Sequence, residues 1–242
     1  MQVIYEDNHI IAVSKTCNEI VQGDKSGDEP LSEMLKRFIK ERDNKPGNVY
    51  IGVTHRLDRP TTGIVLFAKT SKALVRLNEM FRQNQVHKTY WCIVPNVWRL
   101  SLPRGVKYPD EEADLTHWLV RNEKLNRSRA FDAPKPDAKE ARLHYRTLAK
   151  TDRYALLEVQ LFTGRHHQIR CQLSHIGLPI KGDLKYGAPR SNPDGGISLH
   201  ARRVTFEHPV SHQQIDIVAD VPSEPLWRDL AAMAESVEKS AE

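Results

Sequence analysis

The chain has 242 residues, with 36 Lys plus Arg against 31 Asp plus Glu, a formal net charge of +5 and a pI near 9.1. That length buries one good core and is most simply one domain. No apolar run approaches the roughly 20 residues a membrane helix needs, the first seven residues lack the basic start and apolar centre of a secretory signal, and Cys17, Cys92 and Cys171 suit a reducing cytosol better than a disulfide framework.

In chain order, Val3-Ile4-Tyr5 and Ile10-Ile11-Ala12-Val13 flank Glu6-Asp7-Asn8-His9 and predict a hairpin. Leu31, Met34, Leu35, Phe38 and Ile39 share one face at helical spacing and predict a helix over 31–42. A polar loop, 42–48, follows. Val49–Val53 and Ile64–Ala68 are then short, β-branched and aromatic, and read as strands. Between them lies Thr54-His55-Arg56-Leu57-Asp58-Arg59-Pro60-Thr61-Thr62-Gly63, a loop punctuated by Pro60 and Gly63. It carries one carboxylate, Asp58, flanked by Arg56 and Arg59. Positive charge nearby favours the ionised form, and an ionised Asp on a loop held by two strands can act as a nucleophile. A surface Asp pairing with its neighbours has the same charge pattern.

Residue order separates the two. His55-Arg56-Leu57-Asp58-x-x-Thr61-x-Gly63 resembles the catalytic signature of the RluA-like pseudouridine synthases, His-Arg-Leu-Asp-x-x-Thr-Ser-Gly, with Thr62 in place of the usual Ser. The family's earlier Asn-Lys-Pro-x-Gly run is matched in Ser14-Lys15-Thr16-Cys17-Asn18 by the lysine alone.

Past the second strand, Thr70-Ser71 predicts a cap for a helix through about Gln83, with Ala73, Leu74, Leu77, Met80 and Phe81 as its buried stripe. Val86–Val94 reads as a strand, and its Lys88-x-Tyr90 is similar to the family's second motif. From about Trp98 to Glu140 the pattern is polar and irregular. It reads as a loop excursion with one short strand, Trp118-Leu119-Val120, and basic residues suited to RNA phosphates. Residues 141–148 and 154–161 predict a hairpin turning at Thr151-Asp152-Arg153.

Thr163-Gly164-Arg165-His166-His167-Gln168-Ile169-Arg170 closely resembles the third family motif. It reads as a turn and then a helix ended by Gly177, with Ile169, Leu173 and Ile176 as one stripe and His166 and Arg170 on another face. The run Leu178–Gly187 matches a further family segment and reads as structural, with turns at Gly182 and Gly187. Residues 197–206 and 214–219 predict strands. A short helix around Leu226, Leu230 and Met233 and a frayed end from Ser236 follow Pro222.

The resemblance implies an α+β fold: a mixed, mainly antiparallel sheet with packed helices and a central RNA-binding cleft. It places the catalytic domain over 1–222, with the C-terminal helix and tail over 223–242. Relatives acting on ribosomal RNA often carry an extra RNA-binding domain ahead of the catalytic one, and this chain begins directly with the catalytic part. The implied reaction is isomerisation of uridine to pseudouridine in structured tRNA or rRNA. It needs no redox step, hence no cofactor and no metal, and the base must be flipped from its stack. Asp58 is implied as nucleophile, toward the ribose or the ring, or as a base on the ribose. Arg170 is implied to pair with Asp58, and Tyr90 to stack on the uracil. Arg56 would fill the space the base leaves or contact its phosphate. His55, Lys88, Arg165 and Ile169 complete the expected RNA-binding set. The enzyme would work in the cytoplasm as a monomer without an obligate protein partner.

Two rivals stand beside it. A non-catalytic RNA-binding protein on the same fold would lose the nucleophile, yet Asp58, Tyr90 and Arg170 are all present. A metal-dependent hydrolase would draw on His166, His167, His175 and His200. No His-Glu-x-x-His or Cys-x-x-Cys spacing occurs, and the adjacent His166 and His167 would point apart on a helix.

Overall fold

The computed structural model describes residues 1–24, 26–99 and 109–241. The chain condenses into two compact units, one of residues 1–88 and 201–220, the other of residues 89–200 and 221–242.

In the first unit β1 (Gln2–Glu6) and β2 (Ile10–Lys15) form the expected hairpin. Asp7 closes it, its Oδ1 accepting from the backbone N–H of His9 at 2.7 Å and of Ile10 at 2.9 Å. The 31–42 periodicity becomes α1 (Leu31–Arg42). The strand expected at 49–53 shrinks to β3 (Gly52–Val53), which pairs with the end of β4 (Thr62–Ala68). Thr70 caps α2 (Ser71–Arg82) as its composition predicts, accepting from the Ala73 N–H at 3.1 Å.

β2 and β4 pair antiparallel from Ile10 opposite Ala68 to Lys15 opposite Gly63. Both are buried on both faces, which is why their sequences are continuous apolar runs rather than alternating ones. Ile10, Ala12, Ile64 and Leu66 pack with Ala73 and Leu77 of α2. Ile11, Val13, Val65 and Phe67 pack with Leu31, Leu35 and Ile39 of α1.

The second unit holds most of β5 (His87–Pro95) and all of β6 (Glu112–Asn122), β7 (Arg127–Phe131), β8 (Lys139–Lys150) and β9 (Tyr154–Leu161). They run antiparallel in the order β5-β9-β8-β6-β7. This corrects the loop excursion expected over 98–140, of which residues 100–108 lie outside the described residues. The strands hide because their inward positions include His117, Ser128 and Ala130, which carry little apolar signal, while their outward positions are charged or polar.

α3 (Gln168–His175) packs Cys171 against Leu119, Ala130 and Ala141 on one face of this sheet. The other strands and the last helix are β10 (Leu199–Glu207), β11 (Gln214–Val218) and α4 (Pro225–Ala241). β10 lies beside β4 and pairs with β11, in the first unit from Ala201 on. α4 sets Trp227, Leu230, Ala231 and Ala234 against Trp91, Ile93 and Leu156 of the second unit. It continues through Ser236, where fraying is expected, because its apolar stripe is buried to Ala234. The α+β expectation is met, with antiparallel pairs dominant. No helix among the described residues is long and apolar enough to cross a membrane.

One ion-pair cluster ties α1 to β1. The Glu6 carboxylate accepts from Arg42 at 2.6 and 2.9 Å and from Lys69 at 2.6 Å. The Arg42 bond, opposed by burial and aided by Lys69, lowers the Glu6 carboxyl to about 2. The folded value lies below the unfolded one, so this stabilisation is complete above about pH 4.5 and is lost as the pH falls toward 2. Glu6→Gln should therefore cost about 1 kcal/mol at neutral pH, the scale of a partly exposed network. Denaturant unfolding at pH 7 and pH 3 checks this, with the difference from wild type shrinking at the lower pH.

Candidate active site

The signature loop is pinned at both ends within the first unit. At its start Thr54 donates from Oγ1 to the Leu66 carbonyl at 2.5 Å, and the Leu66 N–H donates to His55 Nε2 at 3.0 Å. An acceptor Nε2 means that the His55 ring proton sits on Nδ1. Burial, with the Lys88 charge adding, lowers this imidazole to about 3, so it stays neutral. Its ring lies 4.9 Å from that of Phe81, and the Lys88 ammonium lies 5.5 Å from the other partner of that contact, the Phe81 ring centroid. His55, expected at the RNA, is thus engaged with β4 and α2 and braces the loop from behind.

At the loop's far end stands a residue whose role sequence reasoning missed. Lys15 is 1% exposed, and its Nζ donates to the carbonyls of Thr16 at 2.9 Å, Arg59 at 2.9 Å and Thr61 at 2.7 Å. An ammonium has three donors, and all three are used. Burial lowers Lys15 to about 8, with Glu19, Cys17 and Asp58 opposing, so the group remains an ammonium at neutral pH. The only signal was the single lysine shared with the family's early motif.

Between the two anchors Leu57 packs into the α1-side core. The Thr61 N–H donates to the Asp58 carbonyl at 3.0 Å, closing a tight turn over Arg59-Pro60. Asp58 is left half-buried on this turn and Arg56 exposed. Arg59, expected to flank the Asp58 carboxylate, instead donates to Ser26 Oγ at 2.8 Å and pairs with Asp28. Gly63 ends the signature with φ +107°, and a Cβ there would land on the Ala201 backbone of β10. The signature's glycine is therefore a close-approach position.

Tyr90, Arg165, Ile169 and Arg170 belong to the second unit. Tyr90 is opposite Val159 in the β5–β9 pair, and its side chain is 7% exposed. The helix expected from Arg165 starts only at Gln168, because His167 is left-handed at φ 53°. His166 and His167 precede the helix, and their rings stack at 3.8 Å rather than pointing apart. Gln168 is 3% exposed and ties the turn together. Its Oε1 accepts from Thr163 Oγ1 at 2.8 Å and from the Arg165 N–H at 2.9 Å. Arg165 itself donates from Nε to the Glu140 carbonyl at 2.8 Å, which braces it on β8. Ile169 is buried on α3. Arg170 donates from Nε and Nη2 to the two oxygens of Asp183, at 2.6 and 2.9 Å, a buried partner the sequence did not suggest.

The described residues bring one possible metal-ligand trio together, His117, Asp132 and His175, with donor atoms within 4.8 Å of one another. His175 Nε2 is 2.8 Å and His117 Nε2 3.6 Å from Asp132 Oδ1. Gln172 Nε2 donates to His117 Nδ1 at 3.0 Å and to the Ala141 carbonyl at 3.1 Å. An amide donor at Nδ1 leaves the ring proton on Nε2, the atom that would have to face an ion. Reversing the amide would set its oxygen against the Ala141 carbonyl. The arrangement is a carboxylate hydrogen-bonded to imidazole, and it suits a metal poorly.

Comparison with known proteins comes down on one side. The family model described as RNA pseudouridylate synthase matches residues 9–175. The chain is 31% identical to "tRNA pseudouridine synthase C" of Pectobacterium carotovorum subsp. carotovorum, over 100% of this chain and 66% of that protein. It is 29% identical to "Ribosomal large subunit pseudouridine synthase D" of Xanthomonas campestris pv. campestris, over 100% of this chain and 72% of that one. The chain thus spans about two thirds to three quarters of the length of these two relatives. Among solved structures, "Human RNA Pseudouridylate Synthase Domain Containing 4" shares the fold with a TM-score of 0.73 at 22% identity, covering 97% of this chain and 93% of that one.

The Lys15 anchor has a direct test. Lys15→Met removes three charge-assisted bonds and takes the donor from the buried Thr61 carbonyl, which should cost about 2 kcal/mol or more of stability. Denaturant unfolding of the variant against wild type measures it, and an unchanged midpoint would show that the loop is held by other means.

Proposed function

The chain belongs to the RNA pseudouridylate synthase family, and from that premise we propose that it isomerises specific uridines of structured tRNA or rRNA to pseudouridine, with Asp58 as the nucleophile. The observation that carries the reading is the loop: the one carboxylate of the signature stands half-buried on a turn anchored by Lys15 at one end and by Thr54 and His55 at the other. A turn whose backbone is held this firmly needs little reorganisation when a nucleotide reaches it.

The reaction is balanced within the substrate. The bond between ribose C1′ and N1 breaks, and C1′ bonds to C5 of the same uracil. The C5 hydrogen leaves as a proton, and N1 takes one up. In this scheme Arg170 pairs with Asp58 and holds its charge in place, and Tyr90 stacks on the uracil. Arg56, exposed beside Asp58, fills the space of the flipped base or meets its phosphate. Lys88, Arg165 and Ile169 are assigned to RNA contacts, and His55 braces the signature loop from behind. The net charge of +5 suits a polyanionic partner. The names of the relatives divide between tRNA and ribosomal RNA, and a small stem-loop in either is the favoured target. The enzyme acts in the cytoplasm as a monomer, and the reaction calls for no cofactor.

A binder without turnover is the second reading, and the anchored Asp58 speaks for the enzyme. In purified Asp58→Asn, pseudouridine formation on tRNA and rRNA should fall by at least about 10³-fold while RNA affinity stays within roughly threefold. Turnover and binding measured on the same preparation check this, and retained turnover would remove Asp58 from its role. Arg170→Ala should lose most of its activity, and normal turnover there would break the proposed ion pair.

A further inference from the structure

Two observations in the second unit belong together: a charge pair buried where it stabilises little, and a ring placed beneath it. Arg170 is 4% and Asp183 1% exposed. Taking both charges out of water costs several kcal/mol, and their attraction repays this only when geometry and remaining hydrogen bonds are good, so apolar residues of similar volume do as well or better for stability. The pair therefore calls for a reason other than stability.

Its geometry supplies one. The side-on grip through Nε and Nη2 fixes the guanidinium plane and its rotation, since both Asp183 oxygens are used. The Tyr186 ring lies 5.1 Å from the Arg170 guanidinium carbon and 5.2 Å from that of Arg127. Tyr186 is itself held. Its hydroxyl accepts from the Ser128 N–H at 2.8 Å and lies 3.0 Å from His167 Nδ1. Burial pushes the phenol up to about 12, so it keeps its proton. Asp183 is equally constrained. Its N–H donates to the Ile180 carbonyl at 3.0 Å, and its own carbonyl accepts from Tyr186 and Ala188 N–H groups at 3.0 Å each. Gly182 before it has φ +88°, and a Cβ there would meet the Asn192 side chain at 2.7 Å.

We propose that Asp183 is a positioning residue for Arg170: its carboxylate, bonded through Nε and Nη2, locks the guanidinium with the Tyr186 ring, so that the group is presented in one direction only. The inference rests on the reading of Arg170 as the partner of Asp58. It adds that the partner's aim is set by a second carboxylate thirteen residues on in the sequence. Asp183 touches neither substrate nor reacting atoms in this account and acts through Arg170 alone.

The experiment is a double-mutant cycle with Asp183→Asn, Arg170→Lys and the combination, scored for kcat and KM on substrate RNA and for thermal unfolding. Asparagine keeps the shape but offers one acceptor and an opposing N–H₂. Asp183→Asn should lower kcat about 10²-fold, the scale of a misplaced catalytic contact. KM should change by less than about threefold. The combination should be no slower than Arg170→Lys alone, because both changes act through one group. Asp183→Glu, which keeps the charge and displaces it by one methylene, should fold and recover part of the loss. It carries the test if the asparagine variant does not fold. A kcat within about threefold of wild type in a folded Asp183 variant, or losses that multiply in the combination, overturns the positioning role alone. A wild-type protein that forms no pseudouridine overturns the functional reading, and this inference with it.

Discussion

A single buried ammonium organises the first unit. Lys15 sits at the end of β2, opposite Gly63, and spends its three protons on carbonyls at 16, 59 and 61. A lysine inside a protein is costly unless fully bonded, and here two of the three bonds, to Arg59 and Thr61, draw the signature loop onto the end of β2. The loop's shape follows. The turn at Asp58, the neutral His55 behind it and the tight approach of Gly63 to β10 accompany the chain drawn in at Arg59 and Thr61.

The second unit solves a similar problem with a cation of the other kind. Arg170 is planar and forked, so a carboxylate and a ring can fix its orientation as well as its place. Lys15 is a point charge and fixes carbonyls around itself. Each cation is nearly sealed from solvent, and each sets the geometry of the groups bonded to it. The exposed pairs, such as Arg203 with Asp216 or Lys36 with Glu33, contribute little by comparison.

Local order was well written in the sequence. The helices α1 and α2 follow from apolar spacing and the Thr70 cap, and the first hairpin from its strand pattern and Asp7. The signature marked Asp58, and the third motif marked Arg170. What could not be seen depends on partners distant in the chain or on buried polar residues. Lys15 reaches Thr61 across 46 positions, and no periodicity foretells that. The β6–β7 strands were read as loop because His117 and Ser128 fill inward positions, and the start of α3 was misplaced because His167 adopts a left-handed backbone. Arg59 was assigned to Asp58 by adjacency, while its guanidinium turns to Asp28. Neighbours in sequence proved a poor guide to pairing, and motif order a good guide to family.

The claim under all of this is that the anchored carboxylate rearranges uracil on ribose in a defined RNA. Mapping pseudouridine across cellular tRNA and rRNA, from cells with and without this protein, tests it most directly. The expected result is the loss of pseudouridine at one or a few stem-loop positions, restored when the wild-type chain is returned. Identical maps in the two cell lines would contradict it.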